Sequence, residues 1–146
     1  MREIKFRGMK DNDKGEWVYG YLTKTKYDYL IGENQDFMYW IKPETVGQFT
    51  GKYDKTTVTE IYEGDILYSS REQNYFVVEW DKSNARFILR NGSATADWLD
   101  DHEYEFEYEV VGNIYDNPEL VEGDRRKRES GGMSDGNQQQ RKGQEG

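Results

Sequence analysis

One row of evenly spaced acidic side chains runs through the later part of the sequence, at Glu103, Glu105, Glu107 and Glu109. In a β-strand such side chains project from one face about 6.5–7 Å apart, which is twice the rise per residue. A row of this kind can bind a cation or a basic partner, or imitate the phosphates of a nucleic acid. The same spacing is typical of a half-buried strand whose outer face meets water. The row is therefore both a candidate interaction site and a candidate sheet surface.

Composition excludes several other kinds of chemistry. The 146-residue chain has no cysteine and a single histidine, His102. Thiol nucleophiles, disulfides and cysteine-ligated zinc are therefore absent. His102 stands among acidic neighbours, but consecutive side chains point in different directions, so we interpret it as an exposed loop residue and not a metal ligand. The sequence has neither a glycine-rich phosphate loop nor a nucleophile elbow. We expect no enzymatic activity, no cofactor and no bound metal.

Charge and apolar residues divide the chain into a domain and a tail. The chain has 20 Lys and Arg against 29 Asp and Glu, a net charge of −9. Residues 122–146 hold six of the 15 glycines, one apolar residue and no aromatic ring. Such a segment cannot bury enough surface to offset its ordering entropy. The sequence therefore predicts a domain at 1–121 and a disordered polar tail at 122–146. The tail carries a basic run at Arg125–Arg128, but the acidic domain repels DNA, so we do not expect nucleic-acid binding.

The domain has the pattern of a strand-rich protein. Its apolar residues are mostly aromatic or β-branched, and glycine and Asx turns recur along it. A short helical turn is predicted at Ser93–Asp101, where Ser93 can cap it. This pattern predicts an all-β barrel or roll with a strand-rich N-terminal extension. No apolar run is long enough to span a bilayer and no signal peptide begins the chain, so we expect a cytoplasmic protein. The predicted strands are Glu3–Met9, Glu16–Lys24, Tyr27–Ile31, Asp36–Ile41, Val46–Thr50, Val58–Ile61, Ile66–Tyr68, Asn74–Asp81, Ala85–Arg90 and Glu103–Val111.

Four segments, together with the opening Arg2–Arg7, carry a family resemblance: Glu16–Leu22, Pro43–Gly51, Glu60–Leu67 and Glu109–Leu120. Their order and spacing resemble the YopX family of phage and prophage proteins over residues 1–121. The resemblance implies an all-β protein with a small SH3-like barrel, encoded by a phage or prophage of a bacterium. It implies no established activity, cofactor or catalytic residue. The family usually has a glycine-containing turn where this chain reads Asp54–Thr59, which predicts an altered loop there.

Three functions fit these observations. The first is a non-enzymatic binding or assembly module, because aromatic residues make up 15% of the chain and are enriched at protein interfaces. A protein partner or self-association into a homo-oligomer is then expected. The second is an acidic inhibitor that imitates nucleic acid and blocks a host DNA-binding protein. The third is a small barrel that binds nucleic acid through its rings and its basic tail. The family segments consist of turn and core residue types, which predicts that they specify a fold and not a reaction site.

Overall fold

The computed structural model describes residues 3–54, 56–92, 94–98 and 108–122. In this part of the chain eleven β-strands form two antiparallel sheets, so the all-β prediction is confirmed. Both sheets are open, with an edge strand at each end, and neither closes into a barrel within these residues. Among the same residues, no helix combines the length and the apolar character needed to cross a membrane.

The N-terminal sheet has six strands in the order β4-β3-β2-β1-β5-β6. It curls, because an antiparallel bridge between Lys10 and Ile41 brings the end of β4 back toward the end of β1. Ile41, Val18 and Ile31 form the core inside this curl. A single-turn 3-10 helix at Pro43–Thr45 joins β4 to β5, and proline suits its first position. The strands are β1 (Phe6–Met9), β2 (Trp17–Lys24), β3 (Tyr29–Asn34), β4 (Phe37–Trp40), β5 (Gly47–Asp54) and β6 (Thr59–Tyr62).

The second sheet has five strands in the order β10-β9-β8-β7-β11. Its inner face carries the main core, to which Ile61 of the first sheet also belongs. The other core residues are Leu67, Phe76, Val78, Phe87, Leu89 and Tyr108. The strands are β7 (Asp65–Ser69), β8 (Asn74–Asp81), β9 (Arg86–Asn91), β10 (Ala94–Trp98) and β11 (Tyr108–Asn113). Residues 118–122 then form a short helical turn.

The predicted helical turn at Ser93–Asp101 is wrong where the structure describes it. Residues 94–98 form β10, which pairs antiparallel with β9. Asn91 pairs with Ala94, so Gly92 holds the first of the two positions between the strands, where glycine favours a tight reversal. Gly92 has a φ of 65°, a conformation that glycine adopts at no steric cost. A hairpin therefore forms where a helix cap had been predicted.

The loop between β5 and β6 contains an unusual backbone conformation. Val58 has a φ of 56°, in the left-handed region, and its side chain is exposed. A β-branched residue is strongly disfavoured in that region. A valine therefore occupies a conformation that glycine adopts freely.

Candidate functional site

A cavity of about 350 Å³ lies where the two sheets meet. Its walls come from β1, β2 and β6 of the first sheet and from β7 and β11 of the second. Its charged and polar lining includes Arg7, Tyr19, Glu60, Tyr62, Asp65 and Asn113. Cavities between layers are frequent ligand sites. Whether this cavity can bind a ligand depends on whether its polar groups already bond to one another.

Arg7 is the buried cation of this site, and only 5% of the residue is exposed. Its guanidinium lies near two aromatic rings, with Cζ 4.9 Å from the centre of Trp17 and 5.0 Å from the centre of Tyr62. Arg7 Nη1 forms an ion pair with Asp65 Oδ1 at 2.8 Å, and Nη2 donates to the carbonyl oxygen of Glu63 at 3.4 Å. The rings and the carboxylate together offset the loss of water around the buried charge.

Asp65 and Tyr62 extend this pairing along the cavity wall. Asp65 Oδ2 accepts a hydrogen bond from the Tyr62 backbone N–H at 2.7 Å. Burial raises the pKa of Asp65 above its usual value, and the charge of Arg7 opposes that rise. The Tyr62 hydroxyl donates to Glu60 Oε1 at 2.9 Å, while Glu60 Oε2 pairs with Lys5 at 2.5 Å. Burial and then the bond to Glu60 raise the pKa of Tyr62, so its hydroxyl keeps its proton at neutral pH.

Trp17 connects this cluster to the turn after β11. Its indole Nε1 donates to Asp116 Oδ2 at 2.9 Å, and its ring centre lies 5.8 Å from that of Tyr115. Asn113 also donates to Asp116 Oδ2, at 3.2 Å, from its side-chain amide. Asn113 Oδ1 accepts the backbone N–H groups of Tyr115 and Asp116, both at 2.9 Å, which shapes the turn. These contacts join residues 3–54 to residues 108–122.

The polar groups around the cavity mostly bond to one another. In the described part of the chain, Arg7 Nε and Asn91 Oδ1 are the two buried side-chain polar atoms without a hydrogen-bond partner. Nor do any three His, Asp or Glu side chains among these residues group as metal ligands. The chemistry that this arrangement supports is therefore cohesion of the two sheets, since its donors and acceptors are largely used within the chain.

A second surface of interest lies on the outward side of β2, β3 and β4. Antiparallel partners share a face, and the register places Tyr21 opposite Gly32 and Leu30 opposite Trp40. We name this set the aromatic surface: Tyr19, Tyr21, Leu30, Met38 and Trp40. Tyr21 is 64% exposed and Trp40 is 67% exposed. Near β1 and β6 the same face is covered by the second sheet, so the aromatic surface is its uncovered continuation.

The acidic row lies mostly outside the described residues. Glu103, Glu105 and Glu107 fall there, as do His102 and the basic run at Arg125–Arg128. Glu109 lies in β11, opposite Tyr68 of β7, and is half-buried. The row therefore stays a predicted interaction site.

A comparison with known protein families confirms the resemblance described above. A sequence model described as YopX protein matches residues 5–122. The chain belongs to the YopX family. No curated protein matches the chain. The YopX match covers most of the chain and includes every residue of the two sheets, so the family corresponds to the β-rich domain.

The segments that mark a YopX sequence meet in space. Every residue that lines the cavity except Thr59 lies in one of them. Sequence reasoning named these segments but missed the contacts between Arg7, Asp65 and Trp17. The available signal was an arginine inside an apolar strand, Phe6–Met9, and an aspartate directly before Ile66. A charge in such a position needs a buried partner.

Proposed function

We propose that this YopX protein is a non-enzymatic assembly module of a phage or prophage, acting in the bacterial cytoplasm, and that it self-associates through its aromatic surface. The observation that carries the proposal is the exposure of this surface on a regular sheet. Trp40 and Tyr21 are more than half exposed, and they lie on the same face as Leu30 and Met38. Contiguous exposed apolar surface of this kind marks interaction sites in soluble proteins.

The chemistry of the cavity supports a binding role over catalysis. A catalytic site needs a nucleophile or general base whose proton-transfer partner is the substrate. Here Asp65 is paired with Arg7, and Glu60 with Tyr62 and Lys5. Tryptophan and tyrosine, by contrast, are the residues that most often dominate the binding energy of protein interfaces.

The test is self-association of the full chain, measured by sedimentation equilibrium over a wide concentration range. Trp40→Ser is expected to weaken association by about tenfold or more, since a central interface tryptophan contributes more than about 1.4 kcal/mol. Trp80→Ser is the matched control, because Trp80 is also exposed, at 41%, but lies on the second sheet. Circular dichroism of both variants checks that each one folds.

Two results contradict the proposal. A wild-type chain that stays monomeric at the highest concentration excludes self-association. Equal weakening by Trp40→Ser and Trp80→Ser shows that the aromatic surface is not the interface. If the chain is a monomer that needs Trp40 to bind a different protein, the binding role is kept and that protein takes the place of the second copy.

The two nucleic-acid hypotheses stay predictions. Imitation of nucleic acid rests on the glutamate row, of which the structure describes Glu109. Capture of a purified DNA-binding protein that fades steeply with salt supports imitation, and capture that is absent or insensitive to salt removes it. A gel shift with the full chain tests direct binding to nucleic acid.

A further inference from the structure

The segment that follows β11 contacts both sheets. We name residues 114–122 the strap, and every residue in it is at least partly exposed. The Ile114 N–H donates to the Gly64 carbonyl at 3.0 Å, at the corner between β6 and β7. The end of the strap meets the second sheet loosely, because Val121 and Val77 line a cavity of about 150 Å³. A segment with few buried apolar contacts opens at a lower free energy than the whole domain.

The strap has local hydrogen bonds of its own. The Asn117 N–H donates to the Asn113 carbonyl at 2.8 Å, and the Leu120 N–H donates to the Asn117 carbonyl at 3.1 Å. Asn117 Oδ1 in turn accepts the Asn113 N–H at 3.2 Å. These bonds link residues that are close in the sequence, so they do not depend on contact with the first sheet. The strap can therefore leave that sheet as one unit.

Trp17 of the first sheet contacts the strap through its ring and its N–H. The indole Nε1 donates to Asp116 Oδ2 at 2.9 Å, and the ring centre lies 5.8 Å from that of Tyr115. The hydrogen bond is exposed to solvent, so water competes for both groups. This contact can therefore break while the two sheets stay folded.

Trp17 also belongs to a row of rings on β2. Alternate side chains of a strand share a face, so Trp17, Tyr19 and Tyr21 point the same way. Tyr19 is 47% exposed and Tyr21 is 64% exposed. Trp17 is half-buried, and Tyr115 and Asp116 of the strap lie against it. The strap thus covers the ring that comes next to the aromatic surface along β2.

We propose that the strap is an autoinhibitory contact. It detaches while both sheets stay folded, and Trp17 then extends the aromatic surface beyond Tyr19. The proposal rests on the self-association proposed above and adds its regulation. A second copy binds the open form better, because tryptophan is among the residues that contribute most to the binding energy of an interface. Association therefore shifts the chain toward the open form.

Hydrogen exchange of the full chain tests whether the strap opens by itself. The Ile114 N–H, which bonds to Gly64, is expected to exchange faster than the amides of the central strand β8. Its rate is expected to change little in low concentrations of urea, because local opening exposes little surface. Exchange of Ile114 at the β8 rate, with the same dependence on urea, overturns the strap as a separate unit.

Asp116→Ala removes the acceptor of the Trp17 indole and should favour the open form. Loss of one exposed hydrogen bond is expected to speed exchange of the Ile114 N–H about threefold to tenfold. Glu119→Ala is the matched control, because it removes the same charge from an exposed residue of the strap. It is expected to leave the exchange of Ile114 unchanged. Equal acceleration by both variants overturns the role of the contact with Trp17.

Sedimentation equilibrium of the same two variants tests the regulation. A larger open fraction lowers the apparent dissociation constant, so Asp116→Ala is expected to self-associate about threefold or more tightly than Glu119→Ala. Both variants lose one negative charge, so the comparison cancels the change in repulsion between copies. Faster exchange at Ile114 without tighter association overturns the autoinhibitory role and keeps the assembly function. A wild-type chain and an Asp116→Ala variant that both stay monomeric overturn the assembly function together with its regulation.

Discussion

The guanidinium of Arg7 and the carboxylate of Asp65 form an ion pair inside the protein. Their Nη1 and Oδ1 atoms are 2.8 Å apart, and the side chains are 6% and 2% exposed. Asp65→Ala leaves the charge of Arg7 buried without its partner. We expect the free energy of unfolding to fall by about 3–5 kcal/mol, measured by urea denaturation.

An exposed ion pair provides the comparison for this prediction. Lys10 and Glu16 are 3.4 Å apart, with side chains 26% and 49% exposed. Water screens such a pair, so Glu16→Ala is expected to change the free energy of unfolding by less than about 1 kcal/mol. Similar losses for Glu16→Ala and Asp65→Ala would contradict the structural role of the buried pair.

The hydrogen bonds of Asp54 predict that the stability of the protein falls in acid. Its burial raises the pKa, but bonds from the Thr57 hydroxyl and the N–H groups of Val110, Thr57 and Thr56 outweigh burial and leave the pKa below its usual value. A carboxyl with a lowered folded-state pKa stabilises the protein at neutral pH, and this stabilisation is lost as pH falls through that pKa.

Asp54→Asn tests this linkage. The variant is expected to lose about 1–3 kcal/mol at neutral pH, because an amide cannot accept every one of these bonds. The difference between wild type and variant should shrink as pH falls below about 4. Thermal unfolding from neutral to acid pH measures it. The raised pKa values of Asp65 and Glu63 change the stability with pH in the opposite direction. The test therefore rests on the difference in stability between wild type and variant, and not on the wild-type curve alone. A pH-independent difference would exclude the linkage.

Val58→Gly is expected to stabilise the protein. It relieves a left-handed conformation that costs about 1–2 kcal/mol for a residue with a side chain, although glycine returns about 0.5–1 kcal/mol through unfolded-state entropy. The net gain is up to about 1 kcal/mol, seen as a higher midpoint in urea. Val58→Ala is the control, because alanine keeps the Cβ atom and should give little gain. A gain with alanine equal to that with glycine would place the cause outside the backbone.

Salt should strengthen self-association. Each copy has a net charge of −9, so two copies repel at long range, while β4 itself is uncharged. Raising ionic strength from about 0.05 M to about 0.5 M screens this repulsion. Sedimentation equilibrium should show a lower dissociation constant at high salt. Association that weakens with salt would instead indicate contacts between the basic run at Arg125–Arg128 and acidic surface.

The local pattern of the chain was enough to predict most strands. Asn74–Asp81 has the predicted bounds because its apolar side chains alternate, with Phe76 and Val78 facing the core. The turn at Glu63–Asp65 also agrees with the local pattern, because Gly64 has a φ of 93°, which glycine adopts at no steric cost. The hairpin to β10 was missed because Ser93 was taken as a helix cap and the turn signal of Gly92 directly before it was not weighed.

The candidate site could not be predicted in the same way, because its contacts join residues that are far apart in the sequence. Trp17 and Asp116 are 99 positions apart in the chain, and their hydrogen bond follows from the pairing of two whole sheets. The aromatic content pointed to an interface, but which rings are exposed depends on register. Trp40 is open to solvent, whereas Phe49, on a neighbouring part of the same sheet, is 2% exposed.

The bond between Trp17 and Asp116 also constrains how the protein is made. During synthesis the first sheet leaves the ribosome before Asp116, the hydrogen-bond partner of the Trp17 indole, has been translated. Contacts of high sequence separation form slowly, and domains complete as units. Docking of the two sheets is therefore completed only after the last strand, and a nascent chain stalled before Asp116 leaves the Trp17 indole N–H without its acceptor.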